Sequence, residues 1–402
     1  MFELNDFIKT KVIKRNDSMF LNDINFNREY LKEKINGKTI LVIGGAGSIG
    51  SSYIKAILPF KPKTLVVVDI NENALAELTR DLRSTKGLYV PEDFIPYPMD
   101  FASTTFEKMF RKRGGFDVVA NFSAHKHVRS EKDIFSIEAL LQNNVLHAKI
   151  LLDLLEEYPP EEYFCVSTDK AANPVNIMGA SKRIMEDVIF SYSDKFPVKT
   201  ARFANVAFSN GSLPAGFLAR ISKLQPLSAP LDVKRYFVSP EESGQICMLA
   251  CMLGKNREIF FPKLVDAQMM TFDTIARKLL HEQGFDVLEC RTDEEAIEKA
   301  EYLKQGSKQY PVHFSSSNTS GEKPFEEFYT DTEKVDMDRL NALGVIVDKE
   351  LTDRDKIEKL FAELNHEFGK MEPTKSEVVQ IIKDYLPNFE HIETGKSLDS
   401  KM

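Results

Sequence analysis

The feature that most limits how this chain can fold is Lys38-Thr-Ile-Leu-Val-Ile-Gly-Gly-Ala-Gly-Ser-Ile-Gly50. An apolar, β-branched run enters a cluster of glycines and leaves in a helical pattern over residues 48–58. That is a buried strand, a tight turn and a helix start in sequence. Gly45-x-Gly47-x-x-Gly50 fits one dinucleotide pattern, and Gly44-x-x-Gly47-x-x-Gly50 fits a wider-spaced variant of it. Glycines there let the backbone approach a pyrophosphate, which rests on the positive end of the helix beside Ser48 and Ile49. A second strand, residues 64–69, ends in Asp69, 19 residues after Gly50, near the spacing of a ribose-binding acid. A carboxylate at Asp69 repels a 2′-phosphate and no arginine follows in Ile70-Asn-Glu-Asn73, so NAD is expected rather than NADP.

The alternation continues. A helix is expected over residues 74–84, a strand over 94–99 ending at Asp100-Phe101, a helix over 105–112, a strand over 116–121 and an amphipathic helix over 145–155 after Asn143-Asn144. Strand alternating with helix predicts an α/β fold, a doubly wound parallel Rossmann sheet with a smaller C-terminal substrate domain. The expected division is an extension over 1–37, a dinucleotide-binding domain over 38–210 whose core continues to about 265, an interleaved substrate domain over 211–345 and a helical extension over 346–402. A net charge of −8 argues against a general nucleic-acid binder, so no nucleic-acid partner is expected. The four cysteines lack metal or disulfide spacing and read as reduced core residues. No stretch approaches the roughly 20 apolar residues of a membrane span, and the first residues carry no positive-then-apolar signal, so the cytoplasm is the expected location.

Polar residues gather at two later strand ends. Residues 163–166 hand over to Ser167-Thr168-Asp169-Lys170, which presents a hydroxyl, an acid and a potential base at the carboxyl edge of the sheet. An N-cap is the alternative reading of Thr168 or Asp169. The other cluster, Asn121-Phe-Ser-Ala-His-Lys-His-Val128, places Ser123 and Ala124 beside the expected cofactor. His125, Lys126 and His127 lack convergent partners, so no metal is expected there, and a pocket lining is the reading adopted. Downstream, residues 199–206 read as a core strand, 232–238 as another, and Ser239-Pro240-Glu241 as a helix start. Helices are expected over 271–282 and 292–305, with an insertion near 291–307, then two packed helices after Asp353 and a loose tail over 394–402.

The glycine run, Ser-Ala-x-Lys-His-Val around Lys126, Ser-Thr-Asp-Lys at 167–170 and Met178-x-x-x-Lys182 together resemble the extended short-chain dehydrogenase/reductases. Within them the chain is most similar to the UDP-N-acetylglucosamine 4,6-dehydratases of bacterial polysaccharide and glycan synthesis, over roughly residues 23–334. The usual pair there is Tyr-x-x-x-Lys; Met178 stands in the tyrosine's place, as in some dehydratases. The resemblance implies NAD with a UDP-sugar substrate, UDP-N-acetylglucosamine foremost, and a homo-oligomer. It implies Lys170 as base, Asp169 as acid, Thr168 on the C4 oxygen, and Lys182 and Asn144 at the cofactor. Substrate contacts would come from Lys126, Asn205, Ser212, Arg235 and Glu322, the last in Gly321-Glu-Lys-Pro-Phe-Glu-Glu327, which lacks the arginine that often precedes that signature. Arg235 also has a bland reading as a surface strand residue. A UDP-sugar 4-epimerase or dehydrogenase, and a non-catalytic NAD-binding regulator, are the competing classes.

Overall fold

Short β-branched runs closed by glycine or polar residues, separated by amphipathic stretches, bury a strand on both faces only when helices cover the sheet. The computed structural model describes residues 2–127, 131–304, 306–317, 323, 325 and 327–392. Its strands are β1 (Thr39–Ile43), β2 (Thr64–Asp69), β3 (Asp93–Pro98), β4 (Val118–Asn121), β5 (Glu162–Val166), β6 (Val198–Ala201), β7 (Asn205–Val206), β8 (Leu227–Pro230), β9 (Lys234–Arg235), β10 (Phe237–Val238), β11 (Glu258–Pro262), β12 (Met270–Thr271), β13 (Asp286–Cys290), β14 (Gln309–Ser315), β15 (Val335–Asp336) and β16 (Leu343–Ile346). Nine of them form one sheet in the order β15-β16-β11-β6-β5-β4-β1-β2-β3. It is parallel from β3 to β11, while β16 and β15 add an antiparallel margin. This is the doubly wound arrangement read from the sequence. Strand order reverses between β1 and β4, and the crevice at their carboxyl ends is where an open α/β sheet takes a ligand.

The residues expected as one strand over 199–206 do not form one. β6 stops at Ala201, and β7 resumes at Asn205 in a separate pairing with β10. The interruption begins at Arg202, which is fully buried and committed to carboxylates described below. Likewise 232–238 divides into β9, paired with β12, and β10. The acidic stretch after residue 291 is helical only over Asp293–Ala300, and it connects β13 to β14, which lie parallel to each other and to β8. Sequence reading saw the helix of this βαβ unit and missed both strands. The helix expected over 145–155 is His147–Glu157, and a further helix, Ile134–Leu141, leads into it through a π-helical turn over Gln142–Leu146. After Asp353 the two expected helices are Arg354–Phe368 and Lys375–Tyr385. The tail expected at 394–402 lies outside the described residues.

Two apolar cores result. The larger surrounds the nine-stranded sheet; the smaller joins Leu227, Ala229, Ile275, Leu279, Tyr310 and Val312. Residues ahead of β1 enter both. Phe7, Ile8 and Val12 pack in the smaller core, and Phe20, Leu31 and Ile35 in the larger. All four cysteines are free and buried.

Candidate active site

At the carboxyl end of β1 the glycines have separate reasons. Gly44 has φ +69°, and a Cβ there would lie 2.6 Å from Ser123 N; at Gly50 it would lie 2.4 Å from Gly44 O. Loop, helix and the strand-end loop after β4 close on one another only without side chains. At Gly47 the nearest protein atom would be 3.4 Å away, so packing does not demand glycine there. Gly47 is the N-cap of the helix Ser48–Ile57 and supplies no side-chain cap, leaving the first-turn amides to an outside anion. Asp69 ends β2 half-buried, with Oδ2 accepting from Ala46 N (3.0 Å) and Oδ1 from Asn71 N (3.0 Å). Each carboxylate oxygen keeps a second acceptor site for a ribose hydroxyl. Cradle and acid together fit a dinucleotide. Ile49 packs against the core at the helix start. Asp100 is exposed and turns the chain through Ala102 N, whereas the Phe101 ring is buried edge-on against His147. Ser123 donates N–H and O–H to Asn121 Oδ1, ahead of Ala124. Asn144 accepts from His125 N and donates to His125 O and Ser181 Oγ, so its buried amide clasps the loop to the helix Ile177–Phe190.

Beyond β5, Asp169 is 4% exposed, and its Oδ1 accepts from both Thr168 Oγ1 (2.8 Å) and Lys170 Nζ (3.1 Å). Thr168 is also the N-cap of the one-turn segment Asp169–Ala171, accepting from Lys170 N, so the capping reading holds for that hydroxyl. The Asp169 carboxylate instead meets side chains, a buried acid and a cation in contact at the sheet's carboxyl edge. Met178 is buried in the first turn of the helix Ile177–Phe190, and one turn on Lys182 donates Nζ to Val166 O (3.1 Å). Burial pushes the Lys182 ammonium below its ordinary range, with Cys165 and Glu186 opposing.

Sequence reading missed the charges beneath this edge. Ser167 Oγ donates to Glu186 Oε1 (2.7 Å); Arg202 pairs bidentately with Glu186 (2.8 and 2.7 Å) and with Glu333 (2.7 and 2.9 Å). Lys349 closes the array on Glu333 at 3.1 Å. The available signal was a charge set inside an apolar run, Glu186 in a helix and Arg202 in a strand, which is stable only when paired.

The other expected contacts line the approach. Asn210 N donates to Ser48 Oγ (2.9 Å) and Asn210 O accepts from Lys126 Nζ (2.9 Å), drawing the 209–212 loop over the glycine turn. Ser212 caps the helix Leu213–Ser222 through Ala215 N, a structural use of a residue expected at the substrate. Asn205 Nδ2 is buried with no hydrogen-bond partner among the described residues, an orphan donor that a ligand oxygen would satisfy. Arg235 is buried, not a surface strand residue, and donates to Lys323 O (2.9 Å), while Lys323 Nζ reaches Asn173 O (2.5 Å). Glu322 lies outside the described residues. Among the described residues no cluster of three His, Cys, Asp or Glu side chains is arranged to hold a metal, and no helix is long and apolar enough to cross a membrane.

A family described as "Polysaccharide biosynthesis protein" matches residues 40–346. Relatives include a probable polysaccharide biosynthesis protein, EpsC, of Bacillus subtilis, 27% identical over 88% of this chain and 58% of its own length. An uncharacterized membrane protein of Methanocaldococcus jannaschii is 34% identical over 62% of this chain and 73% of its own. An inverting UDP-N-acetylglucosamine 4,6-dehydratase of Campylobacter jejuni is 26% identical over 73% and 82%. UDP-glucose 4-epimerases of Rickettsia also match, for example that of Rickettsia typhi at 25% identity over 60% and 70%. The chain thus spans little more than half of the Bacillus relative. Among solved structures, Pen from Bacillus thuringiensis shares the fold with a TM-score of 0.62 at 18% identity, over 82% of this chain and 98% of that one. DesIV from Streptomyces venezuelae, a dTDP-glucose 4,6-dehydratase solved with NAD and TYD bound, does so with 0.53 at 19% over 70% and 88%.

Proposed function

The chain belongs to the polysaccharide biosynthesis protein family, and from that premise we propose that it is an NAD-dependent 4,6-dehydratase of a UDP-N-acetylhexosamine, UDP-N-acetylglucosamine foremost. The product would be a 4-keto-6-deoxy sugar nucleotide. The observation that carries this reading is the buried Asp169 carboxylate in contact with Lys170 Nζ at the end of β5, with Met178 where a catalytic hydroxyl is usual.

Gly44, Gly47 and Gly50 would seat the NAD pyrophosphate on the helix Ser48–Ile57, and Asp69 would take the adenosine ribose. NAD supplies a hydride acceptor that gives the hydride back, so the reaction closes without net redox change. Dehydration needs an acid and a base on the sugar at once. Moving one proton from Lys170 to Asp169 across their 3.1 Å contact yields a neutral amine and a neutral acid. The C4 hydroxyl would give its proton to solvent as the C4 carbonyl forms. Lys170 then takes the C5 proton, acidified by that carbonyl, and Asp169 protonates the C6 hydroxyl, which departs as water. Lys170 returns its proton to C5 as C6 is reduced, and a solvent proton restores the pair. Thr168 hydrogen-bonds the C4 oxygen. The buried charge of Lys182 favours electron density arriving at the sugar. Arg235 and the orphan amide of Asn205 would meet the diphosphate.

Both reactions oxidise C4, so Met178 does not separate them; an epimerase needs neither a C5 base nor a C6 acid, and the adjacent Asp169 and Lys170 supply both. Mass analysis after incubation with UDP-N-acetylglucosamine separates the readings. Loss of one water supports the dehydratase; an unchanged mass, or NADH accumulating in step with product, would replace it.

A further inference from the structure

The chain continues past the family-matched residues 40–346 into the helices Arg354–Phe368 and Lys375–Tyr385 and on to residue 392. This last stretch returns to the catalytic end of the sheet. Ile392 N donates to Val175 O (3.0 Å), inside the loop between Asp169–Ala171 and the helix Ile177–Phe190. His391, packed on the buried Phe389 ring, sets Nε2 3.3 Å from Glu131 Oε2, and both side chains are 7% exposed. Lys375 Nζ donates to the Glu131 main-chain oxygen (3.2 Å). The other carboxylate oxygen of Glu131 accepts from Met178 N at 3.1 Å.

Glu131 therefore caps the catalytic helix from a distant part of the chain. Asn176, the local cap, takes the Gly179 amide (2.7 Å), and Glu131 takes that of Met178. A carboxylate is favourable at this end of a helix. The turn it holds is pressed on the acid–base pair: a Cβ at Gly179 would come within 2.7 Å of Lys170 O. Fixing the Met178 turn fixes the Lys170 backbone, and one turn on it fixes Lys182. A methionine thioether is a weak acceptor and cannot anchor this turn by its side chain.

We propose that Glu131 is a positioning residue for the Asp169–Lys170 pair, and that the segment 387–392 acts through it as a built-in clasp. The kinetic part of this inference rests on the dehydratase reading, but the mechanical part does not. The test uses the full chain with Glu131→Ala, Glu131→Gln and His391→Ala, followed by amide hydrogen exchange over residues 171–179 and by steady-state turnover of UDP-N-acetylglucosamine. Glu131→Ala is expected to speed exchange over that segment while β1 to β6 stay protected, and to lower kcat by about 10²-fold with KM near that of the wild type, as a small misplacement of a reacting group does. Glu131→Gln, whose amide oxygen still accepts from Met178 N, should recover most of kcat. His391→Ala should fall between them, and it keeps the test open if Glu131→Ala fails to fold. Unchanged exchange over 171–179 in His391→Ala overturns the clasp whatever the reaction is. Faster exchange with wild-type kcat overturns the positioning role. A wild type that leaves UDP-N-acetylglucosamine untouched overturns the dehydratase reading, while the exchange result still decides the clasp.

Discussion

Asp169 and Lys170 carry the sharpest prediction, because their geometry suits either an acid–base pair or a turn stabilised by an ion pair. If the pair only shapes the turn, Asp169→Asn and Lys170→Met should cost stability, about 3–5 kcal/mol at most as for a broken buried pair, and leave turnover near normal. As acid and base, each substitution should cut turnover by about 10²–10⁴-fold with folding and NAD binding intact. The two failures differ in kind. Without Lys170, solvent deuterium should no longer enter C5; without Asp169, exchange at C5 can survive while no water is lost. Normal dehydration by either variant ends the assignment. Both residues were legible in the sequence because they are consecutive and follow an apolar run, so their place at a strand end is a local fact. Gly44 and Gly50 were legible for the same reason, each excluding a Cβ against backbone only a few residues or one strand away. Asn144 and Ser212 were legible as residues near the site but not in their duties. Which partner an amide or hydroxyl chooses depends on the fold around it, and these chose His125 with Ser181 and a helix cap.

The break between β6 and β7 shows where local reading stops. An arginine in an apolar run reads as a tolerated polar residue in a strand, yet β6 stops just before Arg202, whose side chain pairs with carboxylates 16 residues ahead of it and 131 beyond it in the chain. The missed strands β13 and β14 have the same cause. Asp286–Cys290 is short and mixed in polarity, and pairing with β14 and then β8 makes it a strand. The network has a pH signature. Burial pushes the Glu333 carboxyl up, but hydrogen bonds and charge from Arg202, with Lys349 assisting, outweigh that and hold it at about 2. Its folded pKa is below the unfolded value near 4.5, so its contribution is complete above about pH 4.5 and is lost as pH falls toward 2. That shift corresponds to roughly 3 kcal/mol. Glu333→Gln, which strips Arg202 of one buried partner, should cost about 3–5 kcal/mol at neutral pH. In urea titrations repeated down to pH 3 the gap between variant and wild type should narrow. A gap that stays constant would mean that Glu333 is not ionised by the network.

Between the two cores the N-terminal residues form a strap that composition and periodicity gave no reason to expect, because its polar sequence is read as an extension until its partners are known. Phe7, Ile8 and Val12 fill the smaller core, Phe20, Leu31 and Ile35 the larger, and Asp23 accepts from the amides of Asn341 and Ala342 ahead of β16. At the crossing, Arg15 pairs bidentately with Glu242 at 2.6 and 2.7 Å, and the Glu242 side chain is fully buried. Glu242 also completes the capping box of the helix Pro240–Leu253, which packs beneath the sheet. The strap thus fixes how the lobe carrying Arg235 sits against the lobe carrying Asp169 and Lys170, and a substrate held by both would feel any slack between them. Arg15→Met should destabilise by about 3 kcal/mol, the low end for removing one partner of a buried pair, since Glu242 keeps its bonds from Ser239 N and Met19 N. The chain has no tryptophan, so calorimetry is the suitable measurement. The wild type should melt in one transition, and Arg15→Met should melt earlier with the transition separating into two as the cores lose their common strap. A variant that still melts in one step at the wild-type temperature would show that the cores are coupled through the sheet alone.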